Sequence, residues 1–278
     1  MISIGAFHGL VEFSPGFAPR PGIRHVLFDF DGTLSLIREG WVEVMMAMFL
    51  EMLPPRAGET EVAARQMLHD DIMRQNGKQT IYQMIQFAER IHERGGKVRE
   101  PLWYKNEYLR RLDQRIADRL EGLRSGAVKP DSFLVVGARD VLENFRQRNV
   151  PLYLASGTDE PYVRREAQLL QIAGYFGKHI YGALDDYKKF SKRMVIDRIL
   201  RENNISGEQL LAFGDGYVEI QNTKEVAGLA VAVASDEANN GSGKMDEWKR
   251  RRLLGVGADV VIPDFRDAGA LLEIIFGR

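Results

Sequence analysis

Apolar positions along the chain follow two rhythms. The run Arg24-His25-Val26-Leu27-Phe28-Asp29 is short, almost continuously apolar and stopped at Gly32, which predicts a buried β-strand. From about Ile37 to about Pro130 the spacing turns helical. Val42, Met45, Met46, Phe49 and Leu50 recur at turn intervals, as do Ile81, Met84, Ile85, Ala88 and Ile91, and then Tyr108, Leu109, Leu112, Ile116 and Leu120. Breaks at Pro54-Pro55, near Gly77 and at Gly95-Gly96 divide this stretch into about four helices.

Beyond Pro130 the pattern alternates. Strands are predicted at residues 152–155, 178–181, 210–214, 229–234 and 259–262, and helices at 138–148, 162–172, 192–202, 247–254 and 268–276. Short apolar strands separated by helices argue for an α/β fold, a Rossmann-like three-layer parallel sheet covered on both faces. The first strand precedes the helical stretch. The core domain (residues 23–36 and 131–278) is therefore interrupted by an inserted all-helical domain (37–130). Residues 1–22 form an N-terminal extension, and three prolines and two glycines between Ser14 and Gly22 make its end an irregular lead-in.

Composition narrows the function. The 38 Lys and Arg against 39 Asp and Glu leave no basic excess for nucleic acid or an anionic membrane. Cysteine is absent, which excludes a disulfide scaffold, a thiolate zinc site, an iron–sulfur cluster and a cysteine nucleophile. The small-apolar run Val226–Ala234 is far short of a membrane span, and the N-terminus lacks the charge and cleavage pattern of a signal peptide, so a cytoplasmic protein is expected.

Ligands of open α/β sheets bind outside the carboxyl ends of the strands. After the first strand come Asp29, Asp31, Gly32 and Thr33, after the second Ser156, Gly157 and Thr158, and after the strand ending near Phe213 come Gly214, Asp215, Gly216 and Glu219. Asp29 and Asp31 are two apart, so in extended chain they point to one side, where two carboxylates repel unless a cation or proton intervenes. With Asp215 and Glu219 they make an all-oxygen donor set that suits magnesium better than zinc. A carboxylate left free is a nucleophile able to form an aspartyl-phosphate. Thr158-Asp159-Glu160-Pro161 reads as a helix start, whose free N–H groups beside Ser156 hold a phosphate.

In this order, Asp29-Phe30-Asp31-Gly32-Thr33-Leu34, Leu154-Ala155-Ser156-Gly157, a lysine and Gly214-Asp215-Gly216-Tyr217-Val218-Glu219 resemble the haloacid dehalogenase-like hydrolase superfamily. The helical insertion, just after the first block, looks like a C1 cap similar to those of phosphoglycolate phosphatase and β-phosphoglucomutase relatives. The resemblance implies Asp29 as nucleophile and magnesium ligand. It implies Asp31 as the acid and base on the leaving oxygen and water, with its main-chain carbonyl on the metal. Ser156 and a lysine would bind the phosphoryl group. Asp215 would ligate magnesium, with Glu219 joining directly or through water; Glu stands here where Asp is commoner. Lys192 is preferred for the lysine, because Val195, Ile196, Ile199 and Leu200 follow it at helical spacing, with Lys189 as runner-up.

Within the resemblance, a carboxyl at Asp31, which the superfamily's dehalogenases lack, implies phosphoester chemistry, in which a leaving alcohol must be protonated. The expected substrate is a small phosphate ester. Hydrolysis leads, and a sugar phosphomutase or a non-catalytic binding module on the same fold are the alternatives. The polar break Asn76-Gly77-Lys78-Gln79-Thr80 is where a C1 cap reaches over the site. Lys78 and Gln79, with Gly157 on the core side, are therefore expected at the substrate, and Arg38, also expected among the substrate-binding residues, lies with Trp41 in the first hinge region at the entrance. Asn240-Gly241-Ser242-Gly243-Lys244 fails as a P-loop, with Ala238 where glycine is required and Met245 where a hydroxyl residue is needed. Lys249-Arg250-Arg251-Arg252, flanked by Trp248 and Leu253-Leu254, reads as a helix with a solvated basic face.

Overall fold

The computed structural model describes residue 7, residues 9–184 and residues 186–277. Seven strands form one sheet: β1 Glu12–Phe13, β2 His25–Phe28, β3 Leu152–Asp159, β4 Ile180–Ala183, β5 Leu210–Gly214, β6 Leu229–Val233 and β7 Val260–Ile262, in the order β1-β7-β6-β5-β2-β3-β4. All neighbours are parallel except β1 and β7.

Eleven α-helices are described. Four lie between β2 and β3: α1 Trp41–Met52, α2 Glu61–Arg74, α3 Ile81–Glu93 and α4 Pro101–Ser125. The others are α5 Ala138–Gln147, α6 Glu160–Leu169, α7 Ala173–Phe176, α8 Lys192–Asn203, α9 Tyr217–Glu225, α10 Glu247–Gly255 and α11 Ala268–Ile275.

Register sets where the chemistry emerges. Phe28, at the end of the central strand, pairs with Leu154 of β3 and Phe213 of β5. All three are fully buried, and the Phe28 and Phe213 rings stack at 4.8 Å. The next residues of all three strands therefore leave the apolar layer at one edge: Asp29 after β2, Ser156 on β3, Asp215 after β5. In the inserted section, Phe49 of α1 and Phe87 of α3 stack at 3.8 Å, with Leu112 and Ile116 of α4 buried in the same apolar cluster. Among the described residues no helix is long and apolar enough to cross a membrane.

The N-terminal extension is more structured than its sequence suggests. Glu12 and Phe13 add an antiparallel edge strand to β7, and Phe13 packs between Phe7 and Phe17 at ring distances of 6.1 and 4.7 Å. Two residues are too short a pattern to announce a strand; pairing with β7 makes it one.

Candidate active site

Asp29 lies just past β2, its N–H donating to Phe213 O at 2.9 Å so that the strand pairing continues to the carboxylate. Its side chain is buried, and Lys192 Nζ sits 2.8 Å from Asp29 Oδ1. The same ammonium donates to Glu219 Oε2 at 2.8 Å. Lys192 opens α8, where Ser191 caps the helix by accepting from Met194 N at 3.1 Å. Of the two candidate lysines it is Lys192 that reaches Asp29; Lys189 is exposed and pairs with Asp186 at 3.2 Å.

Burial holds the Asp29 carboxyl well above the ordinary range, with Glu219 and Asp215 adding repulsion and Lys192 opposing them. Burial also disfavours the Lys192 ammonium, but Asp29 and Glu219 outweigh it and hold its pKa above the ordinary lysine value.

Asp31 faces the same cavity. Its Oδ2 accepts from Ser156 Oγ at 3.1 Å and from Thr158 Oγ1 at 2.9 Å. Its Oδ1 is buried and makes no hydrogen bond among the described residues, and Arg38 Nε stands 3.8 Å away. Burial raises this carboxyl above its ordinary pKa, against the lowering effect of Arg38 and the two hydroxyls. Arg38 itself is committed elsewhere: its guanidinium grips buried Glu166 of α6 with two bonds of 2.9 and 2.8 Å. It lines the cavity as a neutralised pair beside Asp31 rather than as a free cation.

On the other flank, Asp215 and Glu219 follow β5. Glu219 Oε1 accepts from Gly216 N at 2.6 Å, closing the first turn of α9, so both of its oxygens are engaged. One carboxylate oxygen each from Asp29, Asp215 and Glu219 lie within 4.8 Å of one another, all three residues buried. This donor set is all oxygen and fits a hard divalent cation such as magnesium.

The cavity floor and walls include Asp29, Asp31, Ser156, Lys192 and Asp215, and the inserted helices roof it with Trp41, Asn76, Lys78, Thr80, Gln83 and Tyr108. Gly157 has a steric role: a Cβ there would stand 2.4 Å from Lys78 O, so only glycine lets the loop at 76–80 come down this close. Lys78 lines the cavity; its ammonium lies 5.8 and 5.9 Å from the Tyr82 and Tyr217 rings. Gln79, expected at the substrate, turns away from the cavity and donates to the carbonyls of Tyr187 and Phe190.

Three residues at the site escaped the sequence pattern. Lys249, expected on a solvated face, is buried; its Nζ reaches Asp215 Oδ2 at 2.9 Å, Glu237 Oε1 at 2.7 Å and Ser235 Oγ at 3.1 Å. Ser235 Oγ in turn donates to Gly32 O at 2.5 Å. Of the rest of that basic run, Arg250 grips Glu12 of β1, and Arg252 lies over the Tyr217 and Trp248 rings and donates to the Met73 and Arg74 carbonyls. Only Arg251 is a plainly exposed side chain.

A buried ion network costs most when one member is removed, because its partners stay buried and unpaired. Lys249→Met is therefore expected to lower stability by about 3–5 kcal/mol, read as a fall in the urea midpoint with a chelator present. An unchanged midpoint would show that Asp215 and Glu237 do not depend on the ammonium.

The family model of the haloacid dehalogenase-like hydrolases matches residues 23–224. A search of the curated proteins finds no match. Among solved structures, the chain is similar to a HAD hydrolase, family IA, variant 3, from Entamoeba histolytica (18% identity, 91% of this chain and 99% of that one, TM-score 0.61). It is also similar to a predicted phosphoglycolate phosphatase from Haemophilus somnus 129PT (13%, 90% and 98%, TM-score 0.59) and to a predicted phosphatase from Clostridium acetobutylicum (15%, 92% and 99%, TM-score 0.59). At these identities the structures speak for the fold alone. The family model spans most of the chain, including both strand-end acid pairs and the intervening helices, and the chain belongs to the haloacid dehalogenase-like hydrolases.

Proposed function

We propose that the chain is a magnesium-dependent phosphatase of a small phosphate monoester, working through an aspartyl-phosphate on Asp29. The observation that carries this reading is the different company of the two aspartates. Asp29 is ion-paired to Lys192 on the cavity floor, whereas Asp31 keeps one carboxyl oxygen free of hydrogen bonds beside it.

An Asp29 oxygen attacks phosphorus and the ester P–O bond breaks, the departing alkoxide taking the proton from Asp31. Asp31, now ionised, then takes a proton from water. The resulting hydroxide attacks phosphorus, the bond to Asp29 breaks and inorganic phosphate leaves. Ser156 and Lys192 orient the phosphoryl oxygens, and Lys192 offsets their charge. Asp29, Asp215 and the Asp31 main-chain carbonyl would hold magnesium, with Glu219 directly or through water. Magnesium, when bound, adds positive charge at the phosphoryl oxygens. The helical insertion acts as the cap, shielding the cavity from bulk water. The free cavity under it is about 80 Å³, in keeping with a small ester.

The test is inorganic phosphate release from a panel of small phosphomonoesters, with magnesium and after chelation. Release that needs the metal is expected. A chain that binds magnesium and releases phosphate from no ester would overturn the hydrolytic reading, and isomerisation of a sugar monophosphate primed by its bisphosphate would replace it with a mutase. Lys78 would meet a second polar or anionic group of the substrate. Lys78→Ala is expected to raise KM several-fold, about 1 kcal/mol of uniform binding, with kcat nearly unchanged; unaltered KM would remove Lys78 from the site.

A further inference from the structure

Gln79 is buried, yet it is not among the residues that line the cavity. Its side-chain amide crosses to the core and donates to Tyr187 O at 2.9 Å and Phe190 O at 2.7 Å. Those two carbonyls lie on the short segment that ends at Ser191, the N-cap of α8, and α8 begins with Lys192. Phe190 is itself buried in the apolar cluster beneath α8, with Val195, Ile196 and Ile199. Tyr82, in the first turn of α3, meets Tyr187 edge to face at 5.8 Å.

The same loop touches the other two catalytic strand ends. Lys78 O presses on Gly157 after Ser156, and Gly77 faces Gly216 after Asp215, where a Cβ on Gly216 would stand 2.7 Å from Gly77 Cα. One loop of the inserted section thus sits on the segments that carry Ser156, Asp215 and Lys192. Among the described residues, the side-chain hydrogen bonds from this loop to the core go to the Lys192 segment, while Lys78 meets the core through the Tyr217 ring.

We propose that Gln79 is a positioning residue: its amide, bonded to Tyr187 O and Phe190 O, ties the seating of the cap loop to the placement of Lys192 against Asp29. An open cap would then leave the segment before α8 without this brace, and the phosphoryl site would be complete only under a seated cap. Two donors on two carbonyls fix both the distance and the rotation of the segment, which a single bond would not. The inference rests on the reading of Lys192 as the phosphoryl-binding cation.

The experiment is amide hydrogen exchange on the full chain, comparing the wild type with Gln79→Met, which keeps side-chain length and removes both donors. Gln79→Asn, one methylene shorter, is run beside it in case the apolar variant fails to fold. Arg252→Met serves as control, because Arg252 also joins core to cap, at the Met73 and Arg74 carbonyls, but does not touch the segment before α8.

Faster exchange is expected in both 76–80 and 187–195 for the Gln79 variants, and in 187–195 not at all for Arg252→Met. On an ester that the wild type hydrolyses, kcat is expected to fall about tenfold with KM little changed, since a displaced catalytic group costs rate. Faster exchange confined to 76–80, or equal loosening of 187–195 in the Arg252 variant, would overturn the proposal. Exchange needs no turnover. Coupled exchange in a chain that hydrolyses nothing would refute the phosphatase and leave the brace, while normal hydrolysis with uncoupled exchange would do the reverse.

Discussion

Asp29→Asn is expected to abolish phosphate release, by about 10⁴-fold or more, while the protein stays folded with a thermal midpoint at or above that of the wild type in the absence of metal. The loss of rate follows from chemistry: an amide oxygen is a poor nucleophile toward phosphorus, and the carboxylates beside it among the described residues are engaged elsewhere, Asp215 with Lys249 at 2.9 Å. Asp31 is held on Ser156 and Thr158, and Glu219 has both oxygens committed to Lys192 and Gly216. The stability expectation follows from electrostatics. Burial, then Glu219 and Asp215, raise the folded pKa of Asp29, so folding favours its neutral form. A carboxyl of this kind stabilises fully only below its unfolded pKa and loses that contribution as pH rises through the folded one. At neutral pH a neutral isostere relieves the repulsion, and Lys192 keeps Glu219 as partner. Residual magnesium-dependent release near the wild-type rate would remove Asp29 as nucleophile, and a sharply lowered midpoint would show that the Asp29–Lys192 pair stabilises more than the crowding costs.

Much of this arrangement was legible because the strand-end rule is local. Each strand announces itself by an apolar run, and the polar residues just after it inherit one edge of the sheet, so Asp29, Asp31, Ser156 and Asp215 could be placed together without coordinates. Lys192 was legible by helical phase, its successors Val195, Ile196 and Ile199 being buried as expected. The same rule carried one strand further, past β6, flags Ser235 and Glu237. Lys249 had a signal too: it lies four residues before Leu253, and the two are the buried residues of α10. Four like charges in a row hid it, because a basic run reads as solvated unless its phase is compared with the apolar face. Arg38 lies at the cavity as expected and Gln79 lies outside its lining, and both are held by partners the local sequence does not announce. Their partners, Glu166 and the Tyr187 and Phe190 carbonyls, are more than a hundred residues away in the chain. Nothing local distinguishes a side chain that meets substrate from one that meets a distant part of the chain.

Asp31→Asn separates the two half-reactions. In the wild type, the Oδ2 of Asp31 accepts from the Ser156 and Thr158 hydroxyls, and Oδ1 is buried without a hydrogen bond, 3.8 Å from Arg38 Nε. Burial shifts this carboxyl, which lines the cavity, toward its protonated form, the direction a general acid requires. Asparagine will set its carbonyl toward the two hydroxyls and its NH₂ where Oδ1 stood. An amide in place of the carboxyl cannot deliver a proton to a leaving oxygen. Esters of ordinary alcohols should therefore be cleaved about 10²–10⁴-fold more slowly, the range of a lost general acid. p-Nitrophenyl phosphate, whose phenolate leaves without a proton, should still phosphorylate Asp29. Water then attacks without a base, so the second half-reaction stalls. The expected result is a burst of p-nitrophenolate equal to the enzyme concentration, followed by slow turnover, with phosphate trapped on Asp29. Equal slowing of alkyl and nitrophenyl esters without a burst would mean that Asp31 shapes the site and does not move protons. The half-filled hydrogen-bonding of this one carboxyl would then need another explanation.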